Sequence, residues 1–145
     1  MVEKEIIEQL KQELGDHSIT ETTTRSRRTS INIPHTYIKQ AVTFFKKNGF
    51  SQLTTITGAQ ISEDTLELLY HLDKAGDLVT LRVTLPPKQE SIPTITDIIV
   101  GASLYEREIH DLLGVVFEGH PNLSRLVLPD EWQNDSHPLR TSKHK

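Results

Sequence analysis

The sequence predicts an α+β fold: a single domain with a mostly antiparallel sheet, two to three packing helices and an extended C-terminal tail. Three observations carry this reading. Apolar residues recur at helical spacing near the N-terminus, after Pro34 and between Ala102 and Leu113. Between the last two stretches, a pair of runs alternates apolar and polar residues around a short glycine-containing turn. No repeat and no Pro/Gly-rich linker divides the chain, and its 145 residues fit one domain. That length buries a sizeable core without help from disulfides or a structural metal.

Each element has its own signal. Val2, Ile6, Ile7, Leu10 and Leu14 share a helical face, and Gly15 stops the helix. The segment Ser18 to Ser30 is polar and threonine-rich; it reads as an edge strand or β-ribbon, with disorder as the other reading. Ile31 and Ile33 stand on one face of a strand. Pro34 then opens a second helix, at a position that suits its missing N–H, with Tyr37, Ile38, Ala41, Val42, Phe44 and Phe45 as its apolar face. Asn48-Gly49 ends it. Phe50 to Thr57 reads as a strand around Leu53 and Ile56. Thr65 to Asp73 and Val79 to Leu85 alternate about Lys74-Ala75-Gly76-Asp77, which makes a β-hairpin closed by Pro86-Pro87. A helix from Ala102 to Leu113 ends at Gly114. The expected organisation is an N-terminal helix over 1–17, an α+β domain over 18–128 and an extended partner-binding tail over 129–145.

Composition excludes several functions. With no cysteine, the chain holds no disulfide, thiolate nucleophile, Cys-ligated zinc or Cys-held iron–sulfur cluster. If it belongs to a redox system, another subunit or a bound small molecule holds the electrons. A balance of 20 Asp+Glu against 16 Lys+Arg disfavours a general nucleic-acid binder. No apolar run approaches a membrane span, and the acidic N-terminus is not a signal peptide. The expectation is a cytosolic chain that meets a membrane only through partners.

Residues Tyr105 to Arg140 concentrate Glu106, Arg107, Glu108, His110, Asp111, Glu118, His120, Arg125, the single Trp132, His137 and Arg140 among Gly114, Gly119, Pro121 and Pro138. On a helical wheel with Leu104 at the origin, Glu108 falls at about 40°, inside an apolar arc running through Leu112, Tyr105, Ile109 and Leu113. Glu106, Arg107, His110 and Asp111 fall on the other side. A carboxylate in the apolar arc needs a partner, and Arg125 or Arg140 could bind it bidentately. An internal salt bridge is favoured over a proton-relay role, because structural ion pairs also perturb carboxylates. On this reading Glu108→Ala is expected to destabilise the domain more than Glu106→Ala. His120 and His137, with Asp111 or Glu118, could in principle bind zinc, but their spacing matches no compact metal motif. No nucleophile or glycine-rich phosphate cradle accompanies them. From His137 onward the tail carries Lys, Arg and His but no acid, as in segments laid across a partner.

The motif segment resembles the signature of the hydrophilic 30-kDa subunit of complex I, the NuoC family. The shared pattern is Glu106-Arg107-Glu108, Asp111, Leu112-Leu113, Gly114, Phe117, Gly119-His120-Pro121, Leu123, Arg125, Trp132 and His137-Pro138-Leu139-Arg140. Upstream, Tyr70-His71-Leu72, the Leu78–Leu85 strand and Ile92-Pro93-Thr94-Ile95-Thr96 follow in the family's order, so the likeness runs from about Ser30 to Arg140. His110, Ser124 and Asn134-Asp135-Ser136 depart from the pattern. The resemblance implies a peripheral subunit on the cytoplasmic face of a membrane-bound complex, non-catalytic and without a cofactor of its own. It implies docking on a [NiFe]-hydrogenase-like large subunit near a small cluster-bearing subunit. Fe–S clusters, NiFe or flavin would then belong to the partners. The chain's brevity fits the short homologues in membrane-bound [NiFe] hydrogenases and related energy-converting complexes. A stand-alone His/carboxylate metal-dependent hydrolase is the alternative reading.

Overall fold

The computed structural model describes residues 4–15, 19, 21–25 and 27–123. Its elements are α1 (Lys4–Leu14), β1 (Glu21–Arg25), β2 (Arg28–Pro34), a 3₁₀ turn (His35–Tyr37), α2 (Ile38–Lys47), β3 (Gln52–Gln60), β4 (Leu66–Lys74), β5 (Asp77–Leu85), β6 (Ser91–Pro93), α3 (Ala102–Leu113) and β7 (Val116–Glu118). The fold is α+β, as expected. The tail expected over 129–145 lies outside the described residues.

The main sheet has five strands in the order β1-β2-β5-β4-β3. Its neighbours are antiparallel except β2 and β5, which run parallel with Ile31 opposite Leu81. A parallel pair needs a crossover, and here the crossover is α2 together with β3 and β4. The small β6–β7 pair is also parallel. The Ser18 to Ser30 stretch forms a ribbon: β1 folds back on β2 and becomes the sheet's edge.

Alternation sets which face is buried. Leu66, Leu68, Tyr70 and Leu72 of β4 stand opposite Leu85, Val83, Leu81 and Val79 of β5. Ile31 and Ile33 continue these rows on one side, and Ile56 and Gly58 continue them on the other. Every one of these apolar side chains is buried, together with Leu10 of α1, Phe45 of α2 and Leu113 of α3. Removing such rows from water is the main favourable term in the fold.

The structure moves two boundaries. Pro34 does not open α2; it ends β2 opposite Thr84, and its ψ of 146° is extended. The 3₁₀ turn intervenes, and α2 begins at Ile38. The strand after α2 starts at Gln52 rather than Phe50. Gly49, at φ 95°, closes α2, with the Phe50 N–H donating to the Phe45 carbonyl and the Gly49 N–H to that of Lys46. This is a Schellman cap, and it turns Phe50 inward, edge-on to Phe45.

Gly58 positions α3. A Cβ there would lie 2.8 Å from Leu113 Cδ1 and 3.1 Å from Ile109 Cδ1. The missing side chain lets the helix settle directly on β3.

Candidate functional site

The buried polar chemistry gathers where α3 meets residues 94–97 and the turn after β7. Ala102, Glu106, Ile109 and Leu113 recur at i, i+4, i+7 and i+11, and all four are buried. Glu106 therefore sits in the middle of the core-facing stripe of α3, with no exposed surface. This corrects the wheel reading, which places Glu108 in the apolar arc. Glu108 is exposed. The error comes from Leu104, which is apolar but 56 % exposed. Counting it in the buried arc rotates the arc towards Glu108 and away from Glu106.

Glu106 is held by neutral donors. Thr94 Oγ1 donates to Oε1 at 2.5 Å, and the Ile95 backbone N–H donates to Oε2 at 2.9 Å. The helix thereby grips the chain just after β6 from eleven residues away. The wheel reading favours an arginine salt bridge for a buried motif carboxylate; at Glu106 a hydroxyl and the backbone take that place. Burial pushes its pKa from 4.5 up to about 7, against the opposing pull of the two hydrogen bonds. Asp97 adds to the rise and Lys39 opposes it. These two form their own salt bridge at 2.8 Å, and Lys46 Nζ donates to the Ile98 carbonyl at 2.6 Å. Residues 97 and 98 are thus tied to α2 while 94 and 95 are tied to α3.

Tyr70 reaches this region from β4. It is fully buried, and burial together with the Glu106 charge pushes its phenol well above the ordinary tyrosine range. Its hydroxyl has no hydrogen-bond partner.

His120 closes the other side. The Asn122 backbone N–H donates to its Nδ1 at 2.8 Å, so that nitrogen is an acceptor. Its Nε2 lies 3.1 Å from the Ser103 carbonyl and carries the hydrogen. Nε2 is also 3.9 Å from Glu106 Oε1. Both ring nitrogens are therefore engaged in holding the Gly119-His120-Pro121 turn against the first turn of α3. That leaves His120 no free lone pair for zinc. Glu118 is exposed, and its backbone carbonyl accepts from the Thr94 N–H at 2.9 Å. Among the described residues, no group of three or more His, Asp or Glu could hold a metal ion.

The remaining motif residues serve geometry where they are described. Gly114, at φ 79°, caps α3 with its N–H on the His110 carbonyl. Gly119, at φ 87°, turns the chain into His120. Asp111 is buried, Arg107 half-buried and Pro121 exposed. Arg125, Trp132, His137, Pro138 and Arg140 lie outside the described residues, as does any pairing of Arg125 or Arg140 with a motif carboxylate. Thr94, Thr96, Tyr70, Ser103 and Gly58 join the site without any chemical motif to mark them. The stretches Ile92–Thr96 and Tyr70–Leu72 carry the one available signal, as parts of the family pattern.

What the fold and the clamp define together is a small α+β domain with a polar knot that braces its own backbone. Residues 31–144 match the family described as "Respiratory-chain NADH dehydrogenase, 30 Kd subunit", and the chain belongs to it. The fused C/D polypeptide of NADH-quinone oxidoreductase from Shewanella oneidensis is 31 % identical over 93 % of this chain and 24 % of that protein. Subunit 5 of the enzyme from Thermus thermophilus is 31 % identical over 74 % of this chain and 58 % of its own length. The chain thus spans from about a quarter to a little over half of these curated relatives. Among solved structures, a chain of the membrane-bound sulfane sulfur reductase, an archaeal respiratory membrane complex, superimposes with TM-score 0.80 at 27 % identity, covering 94 % of this chain and 82 % of that one. The trypsin-resistant fragment of Nqo5 superimposes with TM-score 0.65 at 27 % identity, covering 81 % of this chain and 99 % of the fragment. Among the described residues, no helix is long and apolar enough to cross a membrane.

Proposed function

We propose that this chain is the cofactor-free hydrophilic subunit of a membrane-bound complex of the complex I or energy-converting hydrogenase type. It docks on the [NiFe]-hydrogenase-like large subunit, beside the cluster-bearing small subunit, and contributes assembly and stability rather than catalysis. The observation that carries this reading is the likeness over 94 % of the chain to a component of an archaeal respiratory membrane complex. The fused C/D relative supports the docking, since its name joins two kinds of subunit in one polypeptide. Zero cysteine agrees with electron carriers residing in partner subunits. The domain over 18–128 provides the rigid body. The tail over 129–145, with Trp132, His137, Pro138 and Arg140, and the β4–β5 hairpin meet the large subunit. The complex sits on the cytoplasmic face of the membrane, and this chain touches the lipid only through its neighbours.

The test is affinity purification of the tagged full chain from mild-detergent membranes of its native cells. Co-purification of a hydrogenase-like large subunit and iron in stoichiometric amounts is expected. Recovery of the chain solely as a monomer from the soluble fraction would overturn the proposal.

A further inference from the structure

The Glu106 carboxyl is sealed from solvent, yet one of its oxygens starts a chain of hydroxyls leading outward. Oε1 is 2.5 Å from Thr94 Oγ1, which is 2.9 Å from Thr96 Oγ1. Thr96 is only half-buried. A hydroxyl has one proton and two lone pairs. The Thr96 backbone N–H, at 3.1 Å, fills one lone pair of Thr94 Oγ1. One proton and one lone pair remain, facing Glu106 and Thr96.

Two arrangements satisfy every atom. With the carboxyl charged, Thr94 donates to Glu106 and Thr96 donates to Thr94. With the carboxyl protonated, Glu106 donates to Thr94 and Thr94 donates to Thr96. The heavy atoms stay in place between the two. Oε2 keeps its hydrogen bond from the Ile95 N–H in both.

We propose that Glu106 is a buried proton-binding site that exchanges its proton with solvent along the Thr94–Thr96 hydroxyl chain. On release, the Glu106 proton passes to Thr94 Oγ1, the Thr94 hydroxyl proton passes to Thr96 Oγ1, and the Thr96 hydroxyl proton leaves to water. One proton exits and each threonine ends with one. Uptake is the reverse.

The surroundings leave this chain as the route. From β4, Tyr70 faces the carboxyl as a neutral phenol. From the turn after β7, His120 Nε2 stands 3.9 Å away with its hydrogen directed to the Ser103 carbonyl. Asp97 of the 94–97 segment and Lys39 of α2 act on Glu106 through space while paired with each other. Of these groups, only Thr94 and the Ile95 N–H hydrogen-bond the carboxyl, and of the two only Thr94 can pass a proton on. Burial sets the pKa at about 7, so both states are populated near neutral pH. The inference stands on this chain's own geometry and holds whether or not the docking proposal does.

The test is carbon-13 NMR of the glutamate side-chain carboxyls across a pH titration of the full chain. One carboxyl resonance, absent from Glu106→Gln, is expected to titrate near pH 7 as a single averaged line. Thr96→Val keeps the shape and removes the outer hydroxyl. Its Glu106 resonance is expected to broaden or split into separate acid and carboxylate lines, while Thr96→Ser keeps the averaged line. A Glu106 resonance that does not move near neutral pH overturns the binding site. An averaged line in Thr96→Val as sharp as in the parent chain overturns the route.

Discussion

The β4–β5 hairpin and the α3 clamp are both buried, but different forces hold them. In the hairpin, inward-facing positions from Leu66 to Leu72 and from Val79 to Leu85 are apolar apart from the Tyr70 hydroxyl. Its stability is packing. In the clamp, a carboxyl, two threonine hydroxyls, an imidazole and backbone groups are buried together and satisfy one another. The hairpin is insensitive to pH by construction, whereas the clamp carries an acid poised near neutrality. The lesson is that one small core can contain a region tuned by volume and another tuned by protons.

The comparison is broken most directly by deleting volume from the hairpin. Leu68→Ala is expected to cost about 4 kcal/mol, read by urea unfolding, because Leu68 has no exposed surface in the centre of the sheet. That loss should be the same at pH 5 and pH 8; a pH-dependent loss would show the two regions are coupled.

The next effect belongs to the clamp. Glu106 titrates at about 7 in the folded chain against 4.5 ordinarily. The folded state therefore binds the proton more tightly, and its contribution is fully present below pH 4.5 and lost as pH rises through about 7. The gap corresponds to about 3 kcal/mol of stability. Denaturant midpoints measured from pH 4.5 to 8 should fall by this amount in the parent chain, after subtraction of the Glu106→Gln profile. Parallel profiles for the two proteins would remove the poised acid from the comparison.

Gly58 joins the regions, and Gly58→Ala tests the joint. The added carbon meets Leu113 and Ile109 at 2.8 and 3.1 Å, so overpacking should cost about 1–3 kcal/mol in thermal or urea unfolding. The smallest effect sharpens the face assignment. Glu108→Ala, at an exposed position, should change stability by no more than about 0.5 kcal/mol. A loss comparable to that of Glu106→Ala would reinstate the wheel reading.

The two regions also differ in how far the sequence discloses them. Period-two alternation marks the hairpin, and the Lys74 to Asp77 turn fixes its register. Gly114 and the apolar spacing bound α3 at Ala102 and Leu113. The clamp is not written in any period. Its bonds join Glu106 to Thr94 and Ile95 across a loop, and half of them use backbone atoms that every residue has. The wheel fails for a related reason: a short helix with an exposed leucine has no unique apolar direction until its neighbours are known. Pro34 has the backbone for a strand end as readily as for a helix start, and Thr84 opposite it decides the matter. The motif glycines and His120 are legible as a pattern, while the hydrogen bonds that engage both nitrogens of His120 need the fold.

The parallel seam between β2 and β5 has a consequence for the order of synthesis. Ile31 finds its partner Leu81, and Ile33 finds Val83, only after the chain has been extended through β3, β4 and β5. Until then the first part of the nascent chain presents Ile31, Ile33, Phe44 and Phe45 with nothing to cover them. The seam closes a long loop, and such non-local pairing forms late. Chaperone binding to the ribosome-attached chain should therefore persist until Leu85 has cleared the exit tunnel and then drop in one step.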